Sequence, residues 1–206
     1  MILETVLVGS MQVNCYILAE GENSLSIIID PGDEEGKIKK VLTKYKLTPG
    51  MLINTHGHID HIGADDKFNV PVYAHSQDSS LLKDPRLNLS DFLVSGFSVK
   101  SKIHNLKDKQ IIALGGIELE VIHIPGHTPG GISLLLKRPK NKILFTGDSL
   151  FCQGIGRTDF PGADGKLLIK SIKEKLFALS DDTIIYPGHG ASSTIGEEKR
   201  NNPFLN

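Results

Sequence analysis

Thr55-His56-Gly57-His58-Ile59-Asp60-His61-Ile62-Gly63 places three imidazoles and a carboxylate within the six positions 56–61. Buried imidazoles and carboxylates need partners, so such density is a poor way to fill a core. The stretch follows Met51-Leu52-Ile53-Asn54, a short apolar run that reads as a buried strand. The cluster therefore belongs on the loop leaving the strand's carboxyl end. Residues two apart in an extended segment face the same way, so His56 and His58 address one point. Gly57 between them keeps the way clear, and Asp60 and His61, past a turn, address a second point nearby. A metal site is the economical reading of these residue types at this spacing.

Upstream, the runs Thr5 to Leu18 and Ser24 to Ile29 are rich in Val, Ile and Leu, with a hairpin turn predicted at Gly21-Glu22-Asn23. The second run stops at Asp30-Pro31-Gly32, which leaves the Asp30 carboxylate at the strand tip, as a turn-former or as a partner to the ligands rather than a ligand. From Asp33 to Leu47, Ile38, Val41, Leu42 and Tyr45 recur at helical spacing, and Thr48-Pro49-Gly50 ends the helix. A short helical segment to Phe68 and a strand at Val70–Ala74 follow. Residues 76–107 are the least regular part, with a possible helix over Ser76–Leu82, and read as an excursion flanking the site.

Downstream, Gln110–Leu114 and Ile117–Ile124 form a hairpin around Gly115-Gly116. Ile132–Leu136 pairs with Lys142–Phe145 around Pro139-Lys140-Asn141, a helix covers about 166–179, and Thr183–Tyr186 is the last strand. Four strands thus end in a residue able to bind metal with glycine close by: the His56 cluster, Gly126-His127, Gly147-Asp148 and Gly188-His189. Strand ends bring distant residues to one edge of a layered fold.

The candidates number seven: His56, His58, Asp60, His61, His127, Asp148 and His189. Zinc takes about four such ligands, so seven suit two ions roughly 3.5–4 Å apart. Asp148 suits the bridge, because a carboxylate has two oxygens where an imidazole offers one lone pair. His56, His58 and His127 are assigned to the first ion, and Asp60, His61 and His189 to the second. Water between two such ions loses a proton near neutral pH, and Asp60 and Asp148 are the candidate catalytic residues that would orient it. Zinc is the expected metal, with iron and manganese tolerated by the same donors. His75, His104 and His123 lack a paired or glycine-flanked context and are placed outside the site. Cys15 and Cys152 form no C-x-x-C pair and are expected to be small buried hydrophobes.

The 206 residues suit one domain, 1–206. With 23 basic and 24 acidic residues and no basic run, nucleic acid is not an expected partner. The amino-terminal residues show no signal-peptide pattern and no apolar stretch approaches spanning length, so a cytoplasmic protein without membrane contact is expected. The oligomeric state is not legible.

The pattern T-H-x-H-x-D-H, followed by Gly-His127, Thr-Gly-Asp148 and Pro-Gly-His189-Gly, resembles the metallo-β-lactamase superfamily. That resemblance implies an α/β fold, a four-layer αβ/βα sandwich with its metal centre at one edge of two facing sheets. Asp60, His61 and the aspartate at 148 are similar to the glyoxalase II branch, and Gly156-Arg157-Thr158-Asp159 and the tail Thr194–Pro203 resemble its short members. Arg157 and Asp159 read equally as a loop salt bridge or as support for the ligands. The resemblance implies a small-molecule thioester substrate. Classical glyoxalase II clasps glutathione with a further helical domain, so the chain's length argues against glutathione as the thiol. The alternative implied by relatives is a mononuclear iron persulfide dioxygenase using His56, His127 and Asp148.

Overall fold

The strand Val13–Ala19 is buried along its whole length, because both its faces are covered. Cys15, Ile17 and Ala19 point to one hydrophobic cluster, while Tyr16 and Leu18 point to another. The computed structural model describes residues 1–93, 96–139 and 142–206. The first sheet runs in chain order: β1 (Ile2–Val8), β2 (Val13–Ala19), β3 (Leu25–Ile29), β4 (Thr48–Ile53), β5 (Val72–His75) and β6 (Ile103–Leu106). Its first three strands are antiparallel, and β3 through β6 are parallel. Parallel neighbours need a crossover, and α1 (Glu35–Lys44) supplies it between β3 and β4, while the one-turn helix α2 (Ile59–Ile62) follows β4. The buried Ile38 and Leu42 of α1 join the outer cluster with Ile17, Ile28 and Leu52.

The second sheet is built from β7 (Ile111–Leu114), β8 (Ile117–His123), β9 (Ile132–Arg138), β10 (Ile143–Gly147), β13 (Ile184–Pro187) and β14 (Ser193–Thr194). A small hairpin, β11 (Leu150–Phe151) and β12 (Gly154–Ile155), stands apart. Between the sheets lie Tyr16, Ile27, Ile29 and Ile53 from one side and Leu119, Val121, Leu134 and Phe145 from the other. Leu168, Ile172 and Leu176 cover the second sheet from outside, through α4 (Gly165–Ser171) and a π-helical turn, Ile172–Leu176. Ile195 of α5 (Ile195–Asn201) joins them. The layers are helix, sheet, sheet, helix, the expected αβ/βα sandwich.

The run Thr5–Leu18 is two strands broken at Gly9–Gln12, where Gly9 and Gln12 take positive φ and swing Met11 toward the site edge. No helix spans Ser76–Leu82; two short 3₁₀ turns, Ser76–Asp78 and Leu81–Lys83, stand there instead. The excursion then forms α3 (Ser90–Leu93) and returns as β6 on the sheet edge. Cys15 is buried as expected, but Cys152 is exposed in the β11–β12 turn. Lys140 and Asn141 of the expected turn lie outside the described residues, although β9 and β10 pair as expected. Among the described residues no helix is long and apolar enough to cross a membrane.

Phe145 is fully buried against Tyr16 and Tyr186, with ring centroids 5.0 and 5.6 Å away. Phe145→Ala should lower the unfolding free energy by about 3–5 kcal/mol in denaturant titrations. His75 and His123, from facing sheets, stack with centroids 3.9 Å apart and planes at 17°. Burial, reinforced by His123, pushes the His75 imidazole down to about 4. Below about pH 6.5 the unfolded chain takes up a proton that folded His75 refuses until about pH 4, so acidification through this window destabilises the fold. Stability curves at several pH values should therefore fall less steeply there for His75→Gln than for wild type.

Candidate metal centre

Gly188 shows how tightly the strand ends converge: a Cβ there would lie 2.1 Å from Asp148 Oδ1 and 2.7 Å from His61 Cε1. The seven candidate side chains come from four loops at one edge of the sandwich, and all of them meet. His56, His58 and His127 form one group whose donor atoms lie within 4.8 Å of one another. Asp60, His61 and His189 form a second, and His56, His61 and Asp148 a third that links them. Asp148 reaches both sides: its Oδ2 is 3.7 Å from His127 Nε2 and 3.6 Å from His189 Nε2, while Oδ1 is 3.4 Å from His61 Nε2.

The ring nitrogens are sorted by what holds their opposite edges. His127 Nδ1 donates to the Arg157 carbonyl at 2.7 Å, which leaves Nε2 facing His58 Nδ1 at 3.0 Å. His189 Nδ1 donates to the Met11 carbonyl at 3.1 Å, leaving Nε2 toward Asp60, 3.3 Å away. The Asp30 carboxylate lies 3.0 Å from His61 Nδ1 and accepts from the Thr55 amide and hydroxyl, both at 2.7 Å. Asp30, at the strand tip, thus flanks the candidate ligand His61 and stands behind the cluster. Such outer contacts fix the tautomer and orientation of metal-binding histidines.

Charge is balanced unevenly across the cluster. Burial, aided by His61, holds the His56 imidazole well below its ordinary pKa, and burial with His127 pushes His58 down to about 3. Burial also disfavours charge on His61, yet Asp148, Asp60 and Asp30 outweigh it and raise its pKa well above the ordinary value. Burial opposes charge on Asp148 too, but His61 in particular holds it far below the carboxylate range. His56 Nε2, His61 Nε2 and Asp148 Oδ1 are buried without a hydrogen-bond partner. Unpaired buried donors and acceptors are costly, and three converging ones are accounted for by a cation among them. Imidazoles and carboxylates are the donor set that divalent ions such as zinc accept, so the residues fit.

Three parts of the surroundings escaped the sequence reading. Asp78, in the irregular excursion, is fully buried and accepts from Gly57, Thr128 and Gly130. Asn14 donates to the Pro187 and Gly190 carbonyls, and the Tyr16 hydroxyl also donates to Pro187, so the His189 loop is tied to the first sheet. A cavity of about 250 Å³ opens over the cluster, walled by Met11, Leu89, Leu93, Phe151 and Phe160. The excursion does flank the site, through Leu89 and Leu93. Arg157 and Asp159 form an exposed two-pronged ion pair, 3.0 and 2.7 Å, and the guanidinium lies over Phe160. Support for His127 comes from the Arg157 carbonyl instead.

Against known proteins, the family model of the metallo-beta-lactamase superfamily matches residues 8–189. The hydroxyacylglutathione hydrolase GloC of Haemophilus influenzae is 38% identical, covering 99% of this chain and 98% of its own length. The structure of the BLEG-1 B3 metallo-beta-lactamase superposes with a TM-score of 0.91 at 38% identity, over 99% of both chains. TTHA1623 in a di-iron-bound form gives 0.84 at 34% identity, over 98% of this chain and 100% of that one. With its layers, its converging strand ends and these matches together, the chain belongs to the metallo-β-lactamase superfamily.

Proposed function

We propose that the chain is a metal-dependent thioester hydrolase of the hydroxyacylglutathione hydrolase kind. The observation that carries this reading is the pair of donor groups, His56–His58–His127 and Asp60–His61–His189, joined by Asp148. The first group is proposed to hold one divalent ion and the second another, with Asp148 shared and zinc as the ion. When bound, such ions lower the pKa of water toward neutrality and polarise a carbonyl. Asp60 and Asp148 are proposed to accept from the attacking water and orient it toward the acyl carbon. Water adds to that carbon as one of its protons passes to Asp60 and on to solvent, the C–S bond breaks, and the acid is released with a thiolate, which needs no strong acid to depart.

The cavity wall suits the rest of the substrate. Met11, Leu93, Phe151 and Phe160 would exclude water from the acyl group. The GloC relative is matched over nearly its full length, so chain length gives no reason against glutathione as the thiol.

Elemental analysis of metal-replete protein should find about two ions per folded chain. A panel of acyl thioesters of glutathione, coenzyme A and small thiols should show turnover above metal-free protein, lost on Asp148→Asn. No turnover with any member of the panel overturns the hydrolase. The iron dioxygenase with His56, His127 and Asp148 as its triad would instead show a single iron and oxygen uptake with glutathione persulfide.

A further inference from the structure

Asp78 has the contacts of a clamp. It closes the 3₁₀ turn Ser76–Asp78 that follows β5, and its side chain is fully buried. Oδ2 accepts from the Gly57 amide at 3.0 Å and the Thr128 hydroxyl at 2.7 Å, and Oδ1 accepts from the Gly130 amide at 2.6 Å. Gly57 lies between His56 and His58 on the loop after β4 of the first sheet. Thr128 and Gly130 follow His127 on the loop after β8 of the second. One carboxylate thus ties together the two loops that supply the first three-histidine group.

The surroundings leave little slack. A Cβ on Gly57 would lie 2.6 Å from Leu81 Cβ, and one on Gly130 would lie 2.5 Å from the Asp78 amide nitrogen. The three partners of Asp78 are neutral donors. Three donors converging on two oxygens need acceptors only: an amide in this place would turn an NH₂ toward at least one N–H or O–H. A buried carboxylate without a cation is a poor source of stability, since desolvation works against it. What it supplies is a fixed distance between two loops from different sheets.

We propose that Asp78 is a positioning residue of the metal centre, holding the His56–His58 turn and the His127 turn in register so that the first three-histidine group keeps its affinity for an ion. The second group has separate anchors, the Asp30 carboxylate on His61 and the Met11 carbonyl on His189. The effect of losing Asp78 is therefore concentrated on one of the two sites. This inference rests on the metal reading proposed above.

The test is a chelator-competition titration of zinc, with cobalt(II) spectra of the same proteins, on wild type, Asp78→Asn and Thr128→Val. Thr128→Val removes one of the three hydrogen bonds at nearly constant volume, and so keeps the test open where Asp78→Asn does not fold. Wild type should bind two ions. Asp78→Asn should bind one of them about 10–100-fold more weakly and the other as in wild type, with Thr128→Val shifted the same way by less. The cobalt bands of the weakened site should appear only at higher cobalt concentration. Both variants binding two ions with wild-type affinities, even at a lower melting temperature, would show a merely structural Asp78 and overturn its role. Wild type binding no ion would overturn the metal reading itself.

Discussion

Keeping imidazoles and carboxylates unpaired in a dry place is the constraint to which the rest of this structure answers. His56 Nε2, His61 Nε2 and Asp148 Oδ1 are each shut off from water without a hydrogen-bond partner, and such groups cost about 1–3 kcal/mol apiece, more when charged. A loop left to itself would relax until each found a partner. It cannot do so here, because the loops are short and spring from strands locked in two facing sheets. The inter-sheet layer around Phe145, Ile29 and Val121 therefore does more than stabilise: it keeps the donors from collapsing on one another.

A second tier of contacts decides which atom of each ring faces inward. The carbonyls of Arg157 and Met11 engage one nitrogen of His127 and His189, and the Asp30 carboxylate flanks His61. Two of these are backbone groups, so their effect does not depend on the side chains at 157 and 11. That is why the ion pair of Arg157 with Asp159 can stay at the surface while the carbonyl of the same residue orients His127. Side-chain identity and positional role are separable at this position.

The same distinction explains what was legible in the sequence. Strand ends marked by glycine beside histidine or aspartate announce themselves by residue type, and all seven candidates converge. Apolar runs of strand length and the helical repeat at 38–45 mark individual strands and a helix, whereas the four-layer sandwich was implied only by the resemblance of the histidine and aspartate motifs to the superfamily. The break at Gly9–Gln12 was hidden because Leu7, Val8 and Val13 continue the apolar character across it. β6 was missed because Ile103-His104-Asn105-Leu106 carries two polar residues at the sheet edge. Asp78 was unreadable for another reason: an acid in an irregular stretch looks solvated until its three donors, from residues 57, 128 and 130, are folded around it. Cross-sheet ties such as Asn14 to Pro187 likewise join positions too far apart in sequence to suggest each other.

Seen from the cavity, the arrangement separates two demands that conflict in water. In the proposed hydrolase, charge must be concentrated to activate a nucleophile, while the acyl group is handled best where water is scarce. The donors occupy the floor, fixed from behind by Asp30, Asp78 and two carbonyls, none of which need face the cavity to act. The mouth is then free to be apolar, with Met11 and Leu93 from the first-sheet side and Phe151 and Phe160 from the second. Met11 serves both tiers, since its side chain lines the wall while its carbonyl orients His189. The wall is drawn from the least regular segments, the 9–12 turn, the excursion, the β11–β12 hairpin and the loop between β12 and α4. Side chains of the wall can vary at positions such as Leu93 and Phe151, but the same segments also carry Asp78 and the Met11 and Arg157 carbonyls, so their backbone path is tied to the floor.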